Sequence, residues 1–116
     1  MATTLLKEIN GVPIALYNDG TNIYVAYPAG KIAKIVISTK VETPFKIMAK
    51  EVRAMISDAT YLYIGTGDGE LIRVTISGGA TSTREFFDSA VVSLGLNSTN
   101  LYVGLANGQI RLKDIS

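Results

Sequence analysis

The chain has 116 residues, of which 47% are hydrophobic and 18% charged, with a formal net charge of +1. That size suits one domain with a packed core, and the apolar content excludes a disordered chain. A charge balance this even offers no basic stripe for nucleic acid or an anionic membrane. With no cysteine and no histidine, disulfides, thiolate metal sites and histidine-based catalytic relays are excluded.

From the N-terminus, the first eight residues show no basic region leading into an apolar run, so no signal peptide is expected. No stretch approaches the roughly 20 apolar residues of a membrane-spanning helix. A cytoplasmic protein with no membrane partner is the expectation. Residues 3–9 form a short strand candidate closed by Asn10-Gly11. The same slot recurs at 42–48 and 81–87, with Ile9, Met48 and Phe87 in one column and Lys7 and Lys46 in another. Residues 14–17 then match 53–56 and 92–95, with small residues (Ala15, Ala54, Ser93) at a fixed point, the mark of close backbone approach. Turn-forming stretches follow at 18–22, 57–61 and 96–100, where Asp or Asn can bond its own backbone two residues on.

The clearest copy of the repeat is the hairpin of residues 62–76, preceded by 23–37 and followed by 101–115. Tyr24, Tyr63 and Tyr102 are 39 residues apart, as are Gly30, Gly69 and Gly108. Asp68-Gly69 and Asn107-Gly108 favour two-residue type I′ turns, whereas Pro28-Ala29-Gly30 requires another type. The strand after the first turn (Ile32, Ala33, Ile35, Val36, Ile37) is apolar on both faces, which places it between layers. Residues 45–54 have helical propensity, but their counterparts in the other copies are strand-like, and the repeat decides for strand.

Four short strands in a unit of about 40 residues are the signature of a β-propeller blade. Residues 62–69, Leu-Tyr-Ile-Gly-Thr-Gly-Asp-Gly, resemble the blade hairpin of quinoprotein-type and two-component-regulator-type propellers, and residues 101–108 do so nearly as well. The chain lacks the tryptophan of quinoprotein blades and the Trp-Asp and Gly-His signatures of WD40 blades. The resemblance implies a propeller and implies no cofactor. A β-trefoil is the alternative all-β fold; the doubly apolar third strand and the phase of the repeat favour the propeller. The expected organisation is a single half-propeller domain over 1–116, with repeats at 14–52, 53–91 and 92–116. The third repeat is short of one strand, to be completed by residues 1–13 of a second copy. Three blades cannot close a ring, and two chains give six. A strand-exchanged homodimer is therefore expected, the strand with Thr3, Leu5 and Ile9 pairing with the partner's strand that carries Ile110 and Leu112.

Chemistry is sparse. Asp19, Asp58, Asp68, Asp88 and Glu51 are the carboxylates available for acid–base work, but three of them sit in turn slots, and no catalysis is expected. Gly65-Thr66-Gly67-Asp68-Gly69 is turn chemistry and not a phosphate loop, because no helix follows it. The repeated tyrosines read as packing residues whose hydroxyls reach polar neighbours. Arg53 stands in a column otherwise filled by Ile14 and Val92; it could bind an anion or form a local ion pair with Glu51 or Asp88. Propellers present ligands to one face and a central channel, which gives Arg53, Glu51, Asp88, Tyr27, Asp68 and Asn107 as candidate ligand-binding residues. The expected function is non-catalytic binding or scaffolding toward a protein or small ligand, with no cofactor. The alternative is a carbohydrate-binding lectin, disfavoured by the absence of tryptophan.

Overall fold

Each repeat folds as an antiparallel meander, because short strands of alternating and doubly apolar pattern are separated by turns at a constant spacing. The structure, a computed structural model, describes residues 2–116. Sheet 1 comprises β1 (Ala15–Asn18), β2 (Asn22–Ala26), β3 (Lys31–Val36) and β4 (Glu42–Ile47). Sheet 2 comprises β5 (Val52–Ser57), β6 (Tyr61–Thr66), β7 (Glu70–Thr75) and β8 (Thr81–Phe86). Sheet 3 comprises β9 (Val91–Leu96), β10 (Asn100–Leu105) and β11 (Ile110–Asp114), and β11 has no strand on its outer side among the described residues. The register repeats as the sequence does: Tyr24 faces Lys34, Tyr63 faces Arg73 and Tyr102 faces Leu112. Among the described residues no helix is long and apolar enough to cross a membrane.

The sheets stack face to face, with β1 beside β5 and β5 beside β9. Tyr24, Ala26 and Ile32 of sheet 1 meet Met55, Leu62, Ile64, Ile72 and Val74 of sheet 2. The opposite face of sheet 2, through Tyr63 and Leu71, meets Val91, Leu101, Val103 and Leu105 of sheet 3. Successive residues of β6 and β7 thus serve different interfaces, which is why these strands are apolar on both sides. Burying each such isoleucine or leucine stabilises the fold by about 1.5–3 kcal/mol. Residues 45–54 are indeed β4, a link and β5 rather than helix.

Two expectations are corrected. The Asp68-Gly69 and Asn107-Gly108 turns are not of type I′, because only the glycines take positive φ, +92° and +91°. Each is a three-residue loop, closed by Gly69 N–H to Thr66 O at 3.2 Å and by Gly108 N–H to Leu105 O at 3.0 Å. Such a loop needs one left-handed residue at its end instead of two in a row. The strand expected at residues 3–9 is not formed in the single chain. A strand needs a hydrogen-bonded neighbour, and β11, which the repeat phase assigns to it, belongs to the sheet farthest from it along the stack. Ile9 instead packs on the outer face of sheet 1, against Val25, Tyr27, Ala33 and Ile35.

Candidate functional site

The link between β4 and β5 and the β6–β7 turn lie side by side and border a shallow, open cavity of about 380 Å³, lined by Ala49, Lys50, Glu51, Arg53, Gly67 and Asp68. Three of the six sequence candidates, Glu51, Arg53 and Asp68, therefore come together. Arg53 Nε donates to Glu51 Oε1, so the local ion pair is the arrangement adopted. The guanidinium also lies over Gly67, where an added Cβ would stand 3.3 Å from Nε. Both side chains of the pair are about half exposed, so it holds geometry more than it adds stability.

The other three candidates lie elsewhere. Tyr27 is buried, correcting its assignment to the ligand face: its hydroxyl donates to Glu42 Oε2 at 2.8 Å. Burial first, and then that carboxylate, push the Tyr27 hydroxyl up to about 12. Asp88 and Asn107 are exposed and line no part of the cavity. Asn107 N–H is held by Ser89 Oγ at 3.0 Å, and its own side chain accepts from Gln109 N–H at 3.0 Å.

Below the cavity is a network that the sequence reading missed. Glu70 at the start of β7 is fully buried, and its carboxylate takes Lys50 Nζ at 2.5 Å and Arg84 Nε and Nη2 at 2.6 and 3.1 Å. Lys50 Nζ also reaches Asp68 Oδ2 at 3.1 Å, and Thr66 Oγ1 donates to Asp68 Oδ1. Burial raises the Glu70 pKa, but the Lys50 and Arg84 cations outweigh it and hold the carboxyl below its usual range. The Thr66 hydroxyl first, and Lys50 with it, likewise lower Asp68 against the cost of desolvation. The cavity floor is thus ionised and fully paired at neutral pH. Its signal was the column Lys31/Glu70/Gln109, polar immediately after the turn in all three copies.

On the opposite side of the stack, Asp19, Asp58 and Asn97 cap their own turns. Asp58 Oδ1 accepts from Thr60 and Tyr61 N–H at 2.8 and 2.7 Å, and Asp19 and Asn97 do the same one repeat away. Tyr63 OH donates to Asp58 Oδ2 at 2.9 Å, and Asn97 Nδ2 to Tyr102 OH at 3.3 Å. Two of the repeated tyrosines, Tyr24 and Tyr63, are buried between sheets and offer no stacking platform for a sugar. Burial and the Asp58 carboxylate push the Tyr63 hydroxyl up to about 12. A phenol whose folded pKa exceeds its unfolded one stabilises the fold fully below pH 10 and loses that contribution as pH rises through about 12. Tyr63→Phe is therefore expected to cost about 1.5 kcal/mol at neutral pH and to flatten the alkaline limb of a stability–pH profile measured by urea unfolding.

No protein-family model matches the chain, and no curated protein matches it. Among solved structures it is similar to the β-propeller domain of Myceliophteria thermophila Cps50 (Swd1), with TM-score 0.79 and 15% identity over 94% of this chain and 37% of that one. It is also similar to the computationally designed Ika8 protein (TM-score 0.76, 17% identity, 86% of this chain and 32% of that one). A third likeness is to the computationally designed Ika4 protein (TM-score 0.65, 12% identity, all of both chains). The chain thus spans about a third of the length of the first two. At these identities the likeness concerns the fold alone, and the fold is all-β and propeller-like.

Proposed function

We propose that the chain is a non-catalytic binding module of the propeller kind, its three sheets serving as blades and its ligand face lying where the β4–β5 link meets the β6–β7 turn. The observation that carries this reading is the open cavity of about 380 Å³ over the paired Glu51, Arg53, Lys50 and Asp68 side chains. Its floor is rigid, because Glu70 anchors Lys50 from beneath, while Glu51 and Arg53 above it are exposed and able to exchange their mutual ion pair for a ligand's charges. That suits a zwitterionic or mixed-charge surface of a protein or small molecule. Without histidine or cysteine, no side chain here supplies the usual general base or thiol nucleophile, and the reading assigns no catalytic step.

The test is affinity capture by immobilised chain, comparing the natural sequence with Glu51→Ala/Arg53→Ala. The double variant removes no buried contact and is expected to keep the melting temperature within about 2 °C. Ligands retained by the natural chain and lost by the variant at least tenfold are the expected result. Equal retention by both would contradict the assignment of this face.

A further inference from the structure

We propose that two copies of this chain close on each other, each lending residues 3–9 to the other's sheet 3, so that both unpaired faces of the stack are covered by a second copy. The proposal stands on the sheet faces and does not depend on the ligand reading.

The repeat lets each open surface be compared with its closed equivalents. One column of the face that each sheet presents to the next holds Ile32, Leu71 and Ile110, exposed by 0%, 4% and 77%. Ile32 lies under sheet 2 and Leu71 under sheet 3; Ile110 has nothing over it. The opposite face shows the same contrast at the other end, where Met55 is 7% exposed and Leu16, one period earlier, is 61% exposed. Tyr102, matching the buried Tyr24 and Tyr63, is also exposed. The face around Ile110 is built to receive one like that around Leu16, and a second copy supplies both at once.

The backbone makes the same argument for the missing strand. Met48 N–H donates to Gly30 O at 2.7 Å and Phe87 N–H to Gly69 O at 2.8 Å, tying each fourth strand to its hairpin. A Cβ on Gly30 would fall 1.9 Å from Met48 O, and one on Gly69 would fall 2.5 Å from Phe87 O. Gly108, of the same conformation, has nothing within 4 Å. The residue one period before Met48 is Ile9, so the absent bond is Ile9 N–H to Gly108 O of the other copy. Ile9 already sits against sheet 1, packed on Val25, Ala33 and Ile35, as Met48 packs with sheet 2. The segment ending at Ile9 is thus held beside its own first sheet, in place for the three strands of a partner's sheet 3. Two copies of three sheets make six, within the range at which propeller rings close, and the assembly is a closed two-fold one.

Light scattering on the eluting protein at micromolar concentration is the test. The expected mass is 24.8 kDa, twice the 12.4 kDa of the chain. Ile110→Glu and Leu16→Glu, which touch opposite ends of the stack at exposed positions, are each expected to weaken the dimer by about thirtyfold or more with circular dichroism unchanged. Ser98→Glu, on an exposed turn, is expected to leave it intact. A natural chain of 12.4 kDa would hand both faces to some other occupant and overturn the proposal. So would a mass above that of a dimer, or a dimer indifferent to both substitutions at the sheet faces.

Discussion

Leu71→Ala is expected to destabilise the chain by about 3 kcal/mol, the cost of a large-to-small change at a closed site. Leu71 lies on β7 at the interface of sheets 2 and 3, in one cluster with Tyr63, Val91, Leu101, Val103 and Leu105. Val91, one of those neighbours, already lies tight on β6, where a Cβ on Gly65 would be 2.3 Å from its Cγ1, so only partial collapse into the space is expected. The melting temperature should fall by about 10 °C for a domain of this size. A loss below about 1 kcal/mol in urea unfolding would mean that sheets 2 and 3 are not packed face to face, since an exposed leucine costs that little.

The second large effect is electrostatic. Replacing Lys50 and Arg84 together by methionine leaves the Glu70 carboxylate buried with no cation, the situation in which a buried pair costs most to break. A fall in melting temperature on the order of 10 °C at neutral pH is expected. The pH dependence should also reverse. In the natural chain the folded pKa of Glu70 lies below its ordinary value of 4.5, so its contribution is present above that value and lost as pH falls through the lowered one. In the variant only burial acts on Glu70, its pKa moves upward, and stability is regained as the carboxyl protonates. Melting curves from pH 7 to pH 4 should therefore converge, and parallel curves would show that Glu70 is not the buried partner of both cations.

The sequence carried the repeat and therefore the strand order, because Tyr24, Tyr63 and Tyr102 recur at a spacing that the ladder reproduces pair for pair. It carried the layering too, through a strand apolar on both faces. Turn geometry was less legible: Asp-Gly and Asn-Gly satisfy both a two-residue loop and a three-residue loop ending in a left-handed glycine, and only the backbone distinguishes them. Glu51, Arg53 and Asp68 line one cavity, whereas Tyr27 lies buried; a tyrosine beside a turn reads as exposed until its face of the sheet is known. Glu70 was passed over for the same reason in reverse. A lone charge next to a turn looks solvated, and its partners Lys50 and Arg84 lie 20 and 14 residues away.

In the proposed dimer, residues 3–9 form the fourth strand of another copy's sheet 3. Lys31 faces Ile47 and Glu70 faces Phe86, so Gln109 should face Glu8 of the second copy, in a closely spaced pair without direct hydrogen bonds between the two residues. That spacing suits a disulfide, and the chain has no cysteine of its own. Glu8→Cys/Gln109→Cys, oxidised in dilute solution and run without reductant, should migrate as a covalent species of 24.8 kDa, twice 12.4 kDa, and return to 12.4 kDa on reduction. Free thiols in a monomer, or a bridge closed within one chain, would contradict it.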